Sequence, residues 1–281
     1  MTLQSAVVTQ LTSSDEVEQR LSFKERLLAA CNGPLGVVGV ELVPAWRRRW
    51  WMCQRSFRFG GRELPYFYHS YNCGWPPYTS ERTVELALAD DWLEQHSTDR
   101  VVEIGAVTPY YWPGRIREMV DPFDPHPRVT CRRSLLEVDL RGASVLSIST
   151  FEHIGTSDYA SQESPECVND AIEKLLAESP GFLVTMPTGY NRRVDELLFE
   201  SAAWPADVSV DFLVRIAGGE WAQAEHAEQA RRPYGDARLQ QRFPDTCIGR
   251  WANAVAVLQR SASRAVDSRG RDSAVQKVGT L

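Results

Sequence analysis

Three apolar runs between Val101 and His153 each end in small, polar or acidic residues, and this spacing constrains the fold more than any other feature of the chain. VVEIGAVTPYY sets Val101, Val102 and Ile104 around Glu103 and passes into Gly105. REMVDPFDPHP carries Met119 and Val120 into Asp121, sixteen residues after that glycine. SVLSISTFEHIG carries Val145, Leu146 and Ile148 into Glu152 and His153. A parallel α/β sheet builds a ligand site this way, because ligands sit beyond the carboxyl ends of its strands. A glycine in the first turn lets backbone approach the ligand, and a carboxylate after the next strand can hold the two hydroxyls of a ribose. The pattern points to a nucleoside cofactor before it points to any reaction.

The rest of the chain supplies elements to surround these strands. Val17, Leu21, Leu27 and Leu28 recur at helical spacing after Ser14, with Asn32-Gly33 as a stop. Two aromatic runs, Trp50 to Phe59 and Arg62 to His69, flank Gly60-Gly61 and predict a β-hairpin. The hairpin reads either as a ribbon packed on the main domain or, from its Trp, Arg and Tyr content, as a binding surface. After Pro76-Pro77, Val84, Leu88 and Trp92 predict a helix that ends near His96. Ser164-Pro165-Glu166 starts another, which Pro180-Gly181 ends. Phe182–Met186 and Ser209–Ile216 follow as strands on either side of a short helix over Arg192–Phe199, and Trp251–Leu258 closes the series. The long polar connection from Gly218 to Gly249 suits an antiparallel edge pair of late strands. The alternation predicts an α/β chain with a mostly parallel sheet. Its expected organisation is an N-terminal helix and aromatic hairpin over 1–78 serving as a lid, a main domain over 79–260, and a disordered tail over 261–281.

Composition narrows the function classes. A net charge of −6 gives no general attraction to nucleic acid or to anionic membranes, although Arg47, Arg48 and Arg49 form a local cluster. The longest apolar run, Leu35 to Val43, contains Glu41 and is too short to span a bilayer. The first residues lack the basic and apolar regions of a secretory signal, so a cytoplasmic protein with reduced thiols is expected. Six scattered cysteines with no CxxC argue against a metal site.

Taken together, VVEIGAV, VDPFD and SISTFEHIG resemble the motifs of class I S-adenosylmethionine-dependent methyltransferases. The likeness extends to a little-characterised bacterial subset through YFYHSYN..W....ERTVE, SIST.EHIG..DY and P.GYN, here within Tyr66–Glu85, Ser147–Tyr159 and Pro187–Asn191. The resemblance implies a Rossmann-like sheet of seven strands, mostly parallel, with helices on both faces and the last strand antiparallel. It implies S-adenosylmethionine held by Glu103, Gly105, Ala106, Asp121, Ser134 and Ser149. Asp121 would be the ribose ligand, with Asp124 its rival. Glu103 would stand near the methionine amino group or else bond to the following loops. Val107 and Pro109 occupy positions where such sequences often keep further glycines. The cofactor has no phosphate, so this turn needs close backbone approach rather than an anion cradle.

The expected chemistry is in-line methyl transfer to oxygen or nitrogen of a small-molecule or sugar-like acceptor. His153, Glu152 and Tyr190 are its candidate catalytic residues, with Tyr159 as a further acceptor-orienting candidate. His69, Asn72 and Trp75 could contribute to the lid. His153 reads as a general base, as a pocket-lining residue or as a structural one. Two alternatives stand beside this reading. One is a domain of the same kind kept as a non-enzymatic scaffold, with an occluded pocket and an exposed patch at Trp50 and Trp51. The other, a nicotinamide-dependent oxidoreductase, lacks the GxGxxG that its pyrophosphate would need.

Overall fold

A computed structural model describes residues 55–69, 74–75, 78–156, 167–200, 204–216, 220–242 and 249–260, with backbone alone at 74–75 and 78–79. The N-terminal helix, Trp50 and Trp51, Asn72, Tyr159, the Ser164-Pro165-Glu166 start and the tail over 261–281 lie outside the described residues.

The glycine pair makes the hairpin. Gly60 and Gly61 take φ of 56° and 75°, the double left-handed turn whose twist suits two flanking strands. They join β1 (Ser56–Phe59) to β2 (Arg62–Pro65). Phe57, Phe59, Leu64, Tyr66 and Tyr68 are buried in one cluster with Val84, Leu88 and Trp92, so the ribbon is part of the core. A second pairing, β3 (Gly74–Trp75) with β4 (Tyr78–Thr79), leads into α1 (Arg82–Gln95). This helix is buried nearly all round, from Thr83 to Ala89 without interruption. Even Glu85 is inside, which calls for a specific partner.

The strands after it are β5 (Val101–Ile104), β6 (Glu118–Val120), β7 (Ser144–Ile148), β8 (Gly181–Pro187), β9 (Val208–Arg215), β10 (Trp221–Gln223) and β11 (Ala254–Arg260). They form one sheet in the order β10-β9-β11-β8-β7-β5-β6. The pairings β6-β5, β5-β7 and β7-β8 are parallel, whereas β8-β11, β11-β9 and β9-β10 are antiparallel. With the two small hairpins, five of the eight strand pairings are antiparallel.

The Rossmann-like expectation, a mostly parallel sheet with helices on both faces, is therefore corrected to a mixed sheet with sparse helical cover. The cause lies in the connections, since parallel neighbours require crossovers that are usually helical. Between β5 and β6, Pro109, Pro113 and Gly114 allow only a 3₁₀ turn at Thr108–Tyr110. Between β6 and β7 stands another short turn, Leu135–Glu137. The polar stretch expected to be a plain connection contains β10, which takes the sheet edge against β9. Among the described residues the α-helices number four: α1, α2 (Cys167–Glu178), α3 (Arg192–Glu200) and α4 (Ala237–Arg242). The hairpin and α1 share a cluster with Met119, Leu146, Ile148, Leu183 and Val255 on one face. α2 and α3 pack against Val102, Val145, Phe182, Val184 and Ala256 on the other.

Candidate functional site

Strand β5 has β6 on one side and β7 on the other, so the chain leaves β5 in opposite directions to reach its two neighbours. A crevice opens at such a reversal, beyond the carboxyl ends of the strands. Here it is a cavity of about 330 Å³. Gly105, Ala106, Asp121, Ser134 and Ser149 all line it, as does His153.

Gly105 turns the chain at φ 85°. A Cβ there would lie 2.0 Å from Thr150 Oγ1, so both the backbone conformation and the closeness of Thr150 require glycine. Its N–H donates to Val120 O at 2.9 Å, tying the turn to β6. Asp121 completes the tie. Its Oδ2 accepts from Ala106 N at 3.0 Å, and its Oδ1 accepts from Phe123 N and Asp124 N, each at 2.8 Å. Three backbone donors fix the carboxylate, and Oδ2 keeps a lone pair for a ligand. Asp124 also lines the cavity, but Tyr110 Oη donates to both of its carboxylate oxygens, at 3.0 and 3.1 Å. Ser134 caps the Leu135–Glu137 turn, accepting from Leu136 N, and brings Leu135 and Leu136 to the cavity wall.

Glu103 serves the loop. It is fully buried, and Oε1 accepts from Val107 N at 3.0 Å and Thr108 N at 2.7 Å. Thr108 Oγ1 donates to Oε2. Burial pushes its pKa up to about 7, although these donors pull the other way. It holds in place the turn that follows Gly105 and is not among the residues that line the cavity.

The opposite wall contains a residue of the ERTVE stretch that had no role assigned to it. Arg82, at the start of α1, lines the cavity with its Nη1 3.2 Å from Glu85 Oε2. Burial opposes the charge on Arg82, but Glu85, Tyr111, Glu81 and Glu152 together more than restore it, so its pKa stands above the ordinary value. Glu85 accepts from Ser149 Oγ at 2.6 Å, yet burial still raises its pKa. Ser149 itself has φ 44°, a left-handed conformation unusual for a non-glycine residue and most often retained where function demands it. A polar triplet spaced along a helix and a distant strand end has no local signature; only the sheet brings it together.

The structure brings the three candidate catalytic residues into one cluster. His153 Nε2 lies 3.8 Å from Glu152 Oε1, and the His153 and Tyr190 rings meet edge to face at 4.9 Å. Tyr234, missed in the sequence because it sits in a Pro-Gly-rich loop, meets Tyr190 edge to face, also at 4.9 Å. Glu152 is fully buried, and burial with Glu85 nearby pushes its carboxyl well above the usual range. Asn191 Nδ2 donates to Glu152 O at 3.0 Å and pins this turn. His69 packs edge-on to Tyr111 at 5.3 Å.

Compared with models of protein families, with curated proteins and with solved structures, the chain matches none of them. Among the described residues no group of three or more His, Cys, Asp or Glu could hold a metal ion, and no helix is long and apolar enough to cross a membrane.

Proposed function

We propose that the protein is an S-adenosylmethionine-dependent methyltransferase whose acceptor is a small molecule or sugar-like group attacked at oxygen or nitrogen. The observation that carries this reading is the convergence of Gly105, Asp121, Ser134 and Ser149 on one cavity at the ends of β5, β6 and β7. The residues fit the cofactor. Gly105 offers the room a close backbone approach needs, and Asp121, fixed by three amides, keeps a lone pair of Oδ2 for a ribose hydroxyl. Ile104, Val120, Leu135 and Leu136 supply apolar walls for a purine. Arg82 offers a charge to the carboxylate of a methionine group.

Bound there, the cofactor would supply an electrophilic methyl group on a sulfonium sulfur. The chain's own residues then orient an acceptor and exclude water, which carries most of the rate in an in-line displacement. His153, at the cavity wall, accepts the proton an acceptor must lose, with Glu152 beside it and Tyr190 against its ring. The turn after β5 argues against a nicotinamide cofactor. It opens only a three-residue 3₁₀ turn, so no helix N-terminus stands ready for a pyrophosphate. A scaffold without ligand predicts an occluded pocket, where the fold has a cavity.

Thermal unfolding with S-adenosylhomocysteine tests the proposal. Millimolar ligand is expected to raise the midpoint by several degrees through binding to the native state alone. Asp121→Ala should remove most of that shift. A folded protein whose midpoint does not move at millimolar ligand would overturn the reading.

A further inference from the structure

The side chain of Glu152 is buried, and its Oε2 has no hydrogen-bond partner among the described residues. Its neighbours are committed elsewhere. Arg82 pairs with Glu85, which also takes the Ser149 hydroxyl, and a Glu81 oxygen accepts from Ala252 N at 3.0 Å. Three carboxyls thus share this region with one guanidinium facing the cavity, and Glu152 Oε1 has the His153 ring 3.8 Å away. A buried acid is costly in its ionised form unless a cation joins it.

The surrounding wall is aromatic. His153, Tyr190 and Tyr234 form a chain of edge-to-face contacts beside Glu152. Glu152 joins this chain through His153, whose Nε2 lies 3.8 Å from Glu152 Oε1. This juxtaposition is built into the backbone. Gly189 has φ 74°, and a Cβ there would lie 2.2 Å from Arg232 O and 2.7 Å from Tyr234 N. Only glycine lets the segment with Tyr190 press against the one with Tyr234. Tyrosine faces attract cations, and more strongly where water is scarce.

We propose that the methyl acceptor is an amine that enters as a compact cation, held between the Glu152 carboxylate and the Tyr190–Tyr234 pair. The inference rests on the methyl-transfer reading of the adjoining cavity. An alcohol would bring no charge to Glu152 and would need a far stronger base. An ammonium needs only to lose its proton, and His153, at the cavity wall beside Glu152, takes it. The freed nitrogen lone pair then forms the bond to the methyl carbon, the carbon–sulfur bond breaks with its electrons left on sulfur, and the product leaves as an N-methylammonium ion.

The test uses the full chain, with calorimetric titration of choline and of its neutral carbon isostere, 3,3-dimethyl-1-butanol, in the presence of S-adenosylhomocysteine. Choline should bind at least about ten-fold more tightly to the wild type. Glu152→Gln should bring the two affinities together. Tyr190→Phe keeps the ring and should keep the preference, whereas Tyr190→Leu should weaken it, and this pair decides the matter if Glu152→Gln does not fold. Equal wild-type affinities, or a preference untouched in both Glu152→Gln and Tyr190→Leu, would overturn the inference. Direct titration of S-adenosylhomocysteine separates the two readings. If it binds while choline shows no preference, the amine acceptor alone falls. If choline is preferred and S-adenosylhomocysteine does not bind, the acceptor role falls with the methyl-transfer reading.

Discussion

Glu103 shows how a single buried acid can shape the site without lining its cavity. Three donors from Val107 and Thr108 converge on its carboxyl, yet burial outweighs them and raises its pKa to about 7 from an ordinary 4.5. The native state therefore holds a proton that the unfolded chain gives up. The associated stability is complete below about pH 4.5 and is lost as pH rises through about 7. Denaturant unfolding of wild type and Glu103→Gln across this window should expose the difference. The wild type should lose on the order of 3 kcal/mol relative to the variant between low and neutral pH. Parallel curves would mean that Glu103 titrates alike in both states. Glutamine can still accept from the two amides and donate to Thr108, so the comparison isolates the charge.

At the scale of elements, turn chemistry and connections decide what the chain can be. Gly60 and Gly61 both take left-handed φ, and a Cβ at Gly60 meets nothing within 4 Å. Asparagine tolerates that conformation and restricts the unfolded chain, so Gly60→Asn should stabilise the protein by about 0.5 kcal/mol. Gly60→Val should destabilise it by more than 1 kcal/mol, roughly, because branching at Cβ resists positive φ. Midpoints of chemical unfolding check both, and a stabilising valine would contradict the turn. These elements were legible in the sequence because their signals are local: paired glycines, the Val84–Leu88–Trp92 stripe, and the apolar runs that became β5, β7 and β8. Sheet direction was not legible. Periodicity identifies strands, whereas pairing sense depends on whether a helix fits between them, and the prolines after β5 were the sign that one does not. β10 was missed because a three-residue edge strand inside a polar stretch is too short to carry a period. Asp121 and Gly105 could be picked out as ends of strands, while Arg82, Glu85 and Tyr234 enter the site only through tertiary packing.

For the whole molecule, the sheet divides into a parallel half, β6-β5-β7-β8, and an antiparallel half, β8-β11-β9-β10. The halves differ in what their ends are free to do. Antiparallel neighbours alternate direction, so their ends are used up in connections, whereas the parallel strands end together and leave the crevice beside Gly105 and Asp121. Ligand binding should therefore be felt unevenly. Amide hydrogen exchange with and without S-adenosylhomocysteine is expected to slow at 105–108, 121–125, 134–136 and 149–154, the segments around the cavity. The amides of Gly105, Ala106, Val107 and Thr108 should respond together, because Val120, Asp121 and Glu103 hold them as one turn. The β9-β10 edge shares no cavity-lining residue and should keep its exchange rates. Such a pattern separates local ordering of the strand ends from a general rise in stability, which would slow globally protected amides in both halves alike. Protection centred on β9 and β10 instead would place the ligand elsewhere and remove the parallel strand ends from any role in binding it.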